Sequence, residues 1–96
     1  MSERKISDKL VDYIMGKMST QGLMFFAGVQ DTYGTLNAVL PGVIPHPVHL
    51  REGMAVRNLM RDSGLCKDWD DHDFDDNWGK AILAVIVKFA EEIETT

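Results

Sequence analysis

Apolar residues recur at intervals of three and four positions over residues 6–18, and lysines and aspartates occupy the positions between them. This spacing places the apolar side chains on one face of an amphipathic helix. A second helix is predicted over residues 47–62, because Pro47 suits a first helical turn and Gly64 is placed to end the helix in the left-handed conformation. Three of its apolar residues are expected to be buried: Leu50, Met54 and Met60.

The last helix has the clearest pattern and is predicted to begin near Phe74, with Asp73 or Asp75 as its cap. Its main apolar face continues over about five turns. Leu83 and Val87 form a second, narrower apolar strip on another side. A helix that is apolar on more than one side belongs in the middle of a bundle or at a contact between subunits.

The pattern between these helices is weaker. The polar run at residues 19–22 is interpreted as the end of the first helix. A short helix is predicted over residues 23–29, and Asp31 is a candidate cap for another that ends at Leu40. Three prolines exclude a helix at residues 41–47, because proline fixes φ and forces the preceding residue toward extended backbone. The sequence therefore predicts an all-α fold, a small bundle of about four helices with a long apolar C-terminal helix.

Composition and charge narrow the function classes. The 96 residues fit a single domain, and 45% of them are hydrophobic, which is enough to form a core. The lone Cys66 and the absence of a secretory signal pattern favour the cytoplasm. No apolar run approaches the roughly 20 residues of a membrane span. The net charge of −5 and the scattered basic residues argue against direct nucleic-acid binding.

Six aspartates are concentrated in residues 68–76, here named the acidic segment. Asp71, Asp73 and Asp75 have the spacing of the first ligands in a calcium-binding helix-loop-helix loop. The rest of that motif is missing, because Asp76 stands where the loop requires glycine and Ile82 stands where it requires the closing glutamate. These acids are therefore interpreted as solubilising and capping residues, with a metal or catalytic role as the alternative. The other metal-ligand types, His46, His49, Cys66 and His72, match no zinc spacing, so no metal or other cofactor is predicted.

His49, Gly53 and Arg57 are spaced by four residues on one predicted helix face, and Asn58 follows directly. Glycine in a helix interior costs about 0.5–1 kcal/mol relative to alanine, so Gly53 indicates a close approach by another group. In the structural interpretation the last helix crosses at Gly53, Asn58 bonds to loop backbone, and Arg57 pairs with a carboxylate of that helix. On the last helix, the residues assigned to this contact are Asp75, Asp76 and Trp78.

The functional interpretation uses the same helix face. His49, Arg57 and Asn58 would form the floor of a pocket for an anionic ligand, because the planar guanidinium of arginine suits phosphate or carboxylate. No residue is assigned a catalytic role.

The stretch from His49 to Asn58 resembles a recurrent motif of small uncharacterised bacterial and phage proteins: His, three residues, Gly, Met, any residue, Ile or Val, Arg, Asn. The opening helix from Leu10 to Ser19 resembles the start of that family. Gly64-Leu65 and the step from Asp75-Asp76 into the last helix resemble later parts, so the likeness covers roughly residues 6–90. The resemblance implies a compact helical domain of bacterial or phage origin, and it implies no activity.

Three functions follow as hypotheses. The first is a non-enzymatic interaction or regulatory module, such as a phage accessory or anti-host protein that binds a protein partner, because apolar and methionine-rich helix surface is in excess. A second copy of the chain is one such partner, with the last helix as the contact. The second hypothesis is a site for a phosphate-bearing small molecule at His49, Arg57, Asn58 and the acidic segment. The third is an acidic mimic of nucleic acid that uses the same segment and Glu91, Glu92 and Glu94.

Overall fold

The computed structural model describes residues 4–94 of the chain. In this part the elements are α1 (Asp8–Lys17), α2 (Thr20–Tyr33), β1 (Val39–Leu40), β2 (His46–Pro47), α3 (Val48–Asp62) and α4 (Asp71–Glu94). The two short strands pair in antiparallel fashion and form a small ribbon before α3. The predicted all-α class is confirmed, since helices make up most of the described chain.

The chain between α1 and β1 differs from the sequence prediction. Ser19 begins a helix instead of ending one, because its hydroxyl accepts a hydrogen bond from the Gly22 N–H at 3.1 Å and so caps α2. The predicted helix over residues 23–29 is therefore too short. A separate helix capped by Asp31 is wrong, because Asp31 lies inside α2. That helix ends at Gly34, whose φ of 71° is the left-handed conformation in which a chain leaves a helix.

α3 confirms the predicted helix over residues 47–62 to within one residue, and Gly64 beyond it has the expected positive φ of 73°. The prediction of its buried face was partly wrong. Met60 is fully buried, whereas Leu50 and Met54 are about half exposed. The reason is that the neighbouring helices cover the face that holds Gly53 and leave the face one residue further along in solvent.

α4 begins at Asp71, three residues before the predicted Phe74. The side chain that caps its first turn by a hydrogen bond is that of Asp70, and not that of Asp73 or Asp75. The Asp73 N–H donates to Asp70 Oδ1 at 2.9 Å, and the Asp70 N–H donates to Asp73 Oδ2 at 3.1 Å. This reciprocal pair satisfies two backbone donors that a helix start leaves without partners. The helix is 24 residues long, but its expected apolar character is not confirmed, since exposed carboxylates lie at both ends.

α4 is the central element of the fold, because it contacts α1, α2 and α3. The core residues that it contributes are Phe74, Trp78, Ala81, Ile82 and Val85. Leu83 and Val87 lie on a different side and remain 39% and 56% exposed. Among the described helices none is long and apolar enough to cross a membrane.

Candidate functional site

α3 and α4 are in close contact at Gly53. An ideal Cβ at this position would lie 3.0 Å from Cζ2 of Trp78, which is closer than side-chain carbons normally approach. Trp78 is buried and also packs against Phe26, with 6.3 Å between the ring centroids. The glycine therefore makes room for the indole.

Arg57 lies one helical turn beyond Gly53 and is also buried, with 8% of its surface exposed. Its Nε is 3.6 Å from Oδ1 of Asp75, so the guanidinium forms an ion pair with α4. Asp76, the other candidate partner, is exposed and lines a different cavity. The pair with Asp75 links the same two helices that meet at Gly53.

The three residues proposed to bind an anionic ligand differ in their surroundings. His49 and Asn58 are exposed, whereas Arg57 is buried against Asp75. The Asn58 side-chain oxygen accepts a hydrogen bond from Arg61 Nη1 at 3.4 Å, and not from loop backbone as the sequence suggested. None of the three cavities described below is lined by these residues.

Arg4, near the start of the chain, forms hydrogen bonds with the acidic segment. Its Nη2 donates to Asp73 Oδ2 at 2.8 Å and to the Asp68 carbonyl at 3.3 Å, while Nη1 donates to Asp68 Oδ2 at 3.1 Å. The hydrogen bond to Asp73 raises the pKa of the guanidinium above its ordinary value, although desolvation opposes this rise. The Asp73 side chain is only 7% exposed, so Arg4 neutralises a carboxylate that is otherwise costly to bury.

The backbone of Arg4 is fixed as well. Its N–H donates to Asn77 Oδ1 at 3.0 Å, and its carbonyl accepts from Lys80 Nζ at 3.0 Å. Asn77, which is 1% exposed, also donates through Nδ2 to the Asp73 carbonyl at 2.7 Å. The residue at position 4 therefore binds the first three turns of α4 through both its side chain and its backbone.

Sequence reasoning missed the roles of Arg4 and Asn77. The available signal was the excess of carboxylates at residues 68–76, because buried acids require cationic partners. Ten lysines and arginines were candidates, and nothing in the local pattern selects one that is about 70 positions away.

Another arginine contacts the exposed part of the acidic segment. Arg61 Nη2 lies 3.3 Å from Asp71 Oδ1, and the Arg61 guanidinium carbon lies 4.5 Å from the ring centroid of Phe74. Within residues 4–94, no group of three or more His, Cys, Asp or Glu side chains is arranged to hold a metal ion. The described carboxylates of this segment mainly contact arginines and backbone N–H groups.

A groove lies between α1 and α4 and is here named the α1/α4 groove. It encloses about 560 Å³, and its lining residues are Asp8, Val11, Leu83, Ala84, Val87, Lys88 and Glu91. The floor is apolar, whereas charged side chains form the rim. The groove thus contains the narrow strip of Leu83 and Val87 that the sequence pattern places outside the main face of α4.

The rim of the groove carries more negative than positive side chains. Lys88 Nζ donates a hydrogen bond to Asp12 Oδ1 and forms an ion pair with it. This contact raises the pKa of the Lys88 ammonium group. Among residues 4–94, Asp8 and Glu91 form no ion pair. The rim therefore presents two carboxylates that are not in an ion pair with a described side chain, although the charge of Asp8 acts on Lys88 at longer range.

Two smaller cavities are also present, and the first of them shares Leu83 with the α1/α4 groove. One, of about 250 Å³, lies between the end of α2 and α4, and Asp76 and Trp78 are among its lining residues. The other, about 230 Å³, lies between α2 and α3 and has an apolar wall that includes Phe25 and Leu59. At its edge, Glu52 accepts a hydrogen bond from His46 Nε2 at 2.7 Å, which ties the β1–β2 ribbon to α3.

The fold and these contacts define a small all-α protein in which arginine–aspartate pairs hold the start of α4 and an apolar groove lies along its later turns. No protein-family model, curated protein or solved structure matches the chain. The bacterial or phage origin that the resemblance at residues 49–58 implies stays a prediction.

Proposed function

We propose that this protein is an interaction module that binds another protein through the α1/α4 groove. The observation that carries the proposal is the exposure of Leu83 and Val87, at 39% and 56%, on a helix whose other faces supply the core. The two residues are one helical turn apart, so their side chains lie together on one face. An apolar strip that a partner would remove from water is typical of an interaction surface.

The shape of the groove supports the same function. Val11 of α1 is nearly buried and forms part of the floor beside Ala84, so the apolar strip lies in a depression between two helices. A depression of this kind accepts the apolar face of another helix, which is a common mode of peptide recognition. Charged residues surround the floor, as they do at the rims of protein interfaces.

The remaining polar clusters lend less support to the other two functions. Arg57, the cation proposed to bind phosphate, is occupied by Asp75. Asp68 and Asp73 are held by Arg4, which reduces the charge that a mimic of nucleic acid would present. The α1/α4 groove, in contrast, keeps its apolar floor open to solvent.

The proposal is tested by cross-linking at single positions. A photo-reactive side chain is placed at residue 87 in the groove and, in a matched chain, at the exposed Met24 of α2. In extracts of the source cells we expect a discrete protein adduct from residue 87 and none of the same mass from residue 24. The adduct should disappear when Leu83→Ser is added, because the partner then loses its contact with the strip.

Two results would contradict the proposal. One is an adduct of equal yield from both positions, since that indicates non-selective collision. The other is an adduct from residue 87 that is unchanged by Leu83→Ser. Circular dichroism of each variant shows whether the chain is folded, so that loss of an adduct is assigned to the surface and not to unfolding.

A further inference from the structure

The charge around the α1/α4 groove identifies the kind of partner that fits it. We infer that the groove takes a basic amphipathic helix, with an apolar stripe on the groove floor and lysine or arginine on its flanks. This inference rests on the proposed interaction function and adds the chemistry of the occupant. It depends on the carboxylates of Asp8 and Glu91, which stand at the rim without ion-pair partners among residues 4–94.

Lys88 is the one basic residue among the described residues that line the groove, and its single positive charge is smaller than the summed charge of the carboxylates around it. It is paired with Asp12, and the charges of Glu92 and Asp8 act on it as well. One ammonium group thus stands among several carboxylates, so the rim as a whole is negative. A basic partner neutralises this charge, and the net charge of −5 on the whole chain adds to the attraction.

The length of the groove also fits a helical segment. On α4 the lining extends from Leu83 to Glu91, which at 1.5 Å per residue corresponds to about 12 Å, or about two turns of a partner helix. Two or three apolar side chains at intervals of about three and four residues would cover this floor. Such a short contact predicts a weak complex whose affinity depends on the flanking charges.

A second copy of the chain is a poorer occupant. It would bring another Asp8 and another Glu91 toward the same rim, and each copy carries a net charge of −5. Like charges that face each other across an interface disfavour association. The argument therefore separates a basic partner from a homodimer.

The test uses the intact chain and three labelled synthetic peptides of equal length. The first has leucines at helical spacing and lysines on both flanks. The second has glutamates in place of the lysines, and the third has the composition of the first in an order that lacks an apolar stripe. In fluorescence anisotropy at low salt we expect the first peptide to bind at least about tenfold more tightly than either control, with affinity that falls as salt is added.

Two double variants locate the binding. Leu83→Ser with Val87→Ser should remove it, and Asp8→Asn with Glu91→Gln should weaken it by about three- to tenfold. The matched controls are Met24→Ser, which removes an exposed apolar side chain on α2, and Asp31→Asn with Asp62→Asn, which removes two exposed carboxylates elsewhere. Both controls should bind the first peptide as the unchanged chain does.

Equal binding of the lysine and glutamate peptides would overturn the basic occupant but leave the groove as an interaction surface. Binding of the lysine peptide that persists in the Leu83/Val87 variant, or no binding of any peptide, would also overturn the inference. In those cases cross-linking at residue 87 still decides the proposed function separately. A dimer in sedimentation velocity that is lost in the Leu83/Val87 variant would instead identify a second copy as the occupant.

Discussion

The indole of Trp78 lies so close to the backbone of Gly53 that Cζ2 is 3.0 Å from the position of a Cβ at residue 53. The ring is 3% exposed and is held by neighbours that include Phe26, so it has little room to move. The crossing of α3 and α4 therefore requires a residue without a side chain at this position.

Gly53→Ala is expected to destabilise the protein by about 1–2 kcal/mol. The added methyl group overpacks the contact at a cost of about 1–3 kcal/mol, and the better helix propensity of alanine returns about 0.5–1 kcal/mol. Urea unfolding followed by circular dichroism measures the difference in the free energy of unfolding.

The matched control for this prediction is Gly28→Ala in α2. A Cβ at Gly28 meets no atom within 4 Å, so alanine there should stabilise the protein by about 0.5–1 kcal/mol through helix propensity alone. Opposite signs for the two substitutions are the expected result. An increase in stability at both positions would show that Trp78 yields to the methyl group and that the close approach is not required.

Arg4→Ala is expected to lower the melting temperature more than Arg61→Ala does. Arg4 contacts Asp73, whose side chain is 7% exposed, whereas Arg61 contacts Asp71, whose side chain is 95% exposed. Loss of a partner leaves a buried carboxylate uncompensated but returns an exposed one to water. Differential scanning fluorimetry of the two variants checks the order, and an equal effect would contradict the structural role assigned to Arg4.

The sequence was sufficient for the helices that have one clear apolar face. α1 and α3 follow their predicted bounds within two residues, since spacing alone determines which side is buried. The prediction for the region from Ser19 to Leu40 was wrong, because serine and glycine occur at both the start and the end of helices. Only the hydrogen bond from Gly22 to the Ser19 side chain shows that this serine begins α2.

The contacts between distant elements were predictable only in part. A glycine in the interior of α3 and an arginine one turn later were enough to suggest a crossing by the last helix, and the structure places Trp78 and Asp75 there. The contact of Arg4 with Asp73 spans 69 positions and has no local signal. Exposure of Leu83 and Val87 likewise depends on where α1 lies.

The pair formed by His46 and Glu52 predicts a dependence of stability on pH. Burial raises the pKa of the Glu52 carboxyl, but the hydrogen bond from His46 and the charges of His46 and Arg51 outweigh burial, so the pKa lies below its ordinary value. A carboxyl whose pKa is lower in the folded state stabilises the protein above its unfolded pKa. That contribution is lost as the pH falls through the folded pKa.

Glu52→Gln is therefore expected to reduce stability near neutral pH and to flatten the loss of stability in the acid range. Urea unfolding at a series of pH values measures this slope, and Glu94→Gln, which removes an exposed carboxylate at the end of α4, is the control. A slope in Glu52→Gln identical to that of the unchanged chain would show that the contact with His46 does not stabilise the ribbon against α3.

Cys66 is expected to react slowly with thiol reagents in the folded protein. The residue is 5% exposed, and burial together with the nearby charge of Asp68 raises the pKa of its thiol. A raised pKa leaves less thiolate at a given pH, and the thiolate is the form that attacks a disulfide reagent.

With Ellman's reagent at mildly alkaline pH, modification of Cys66 should be at least about tenfold slower than in the same chain under strong denaturant, because reaction requires local opening. Since Cys66 is the single cysteine in the sequence, the signal reports this position alone, and equal rates in the two conditions would contradict its burial beside Asp68.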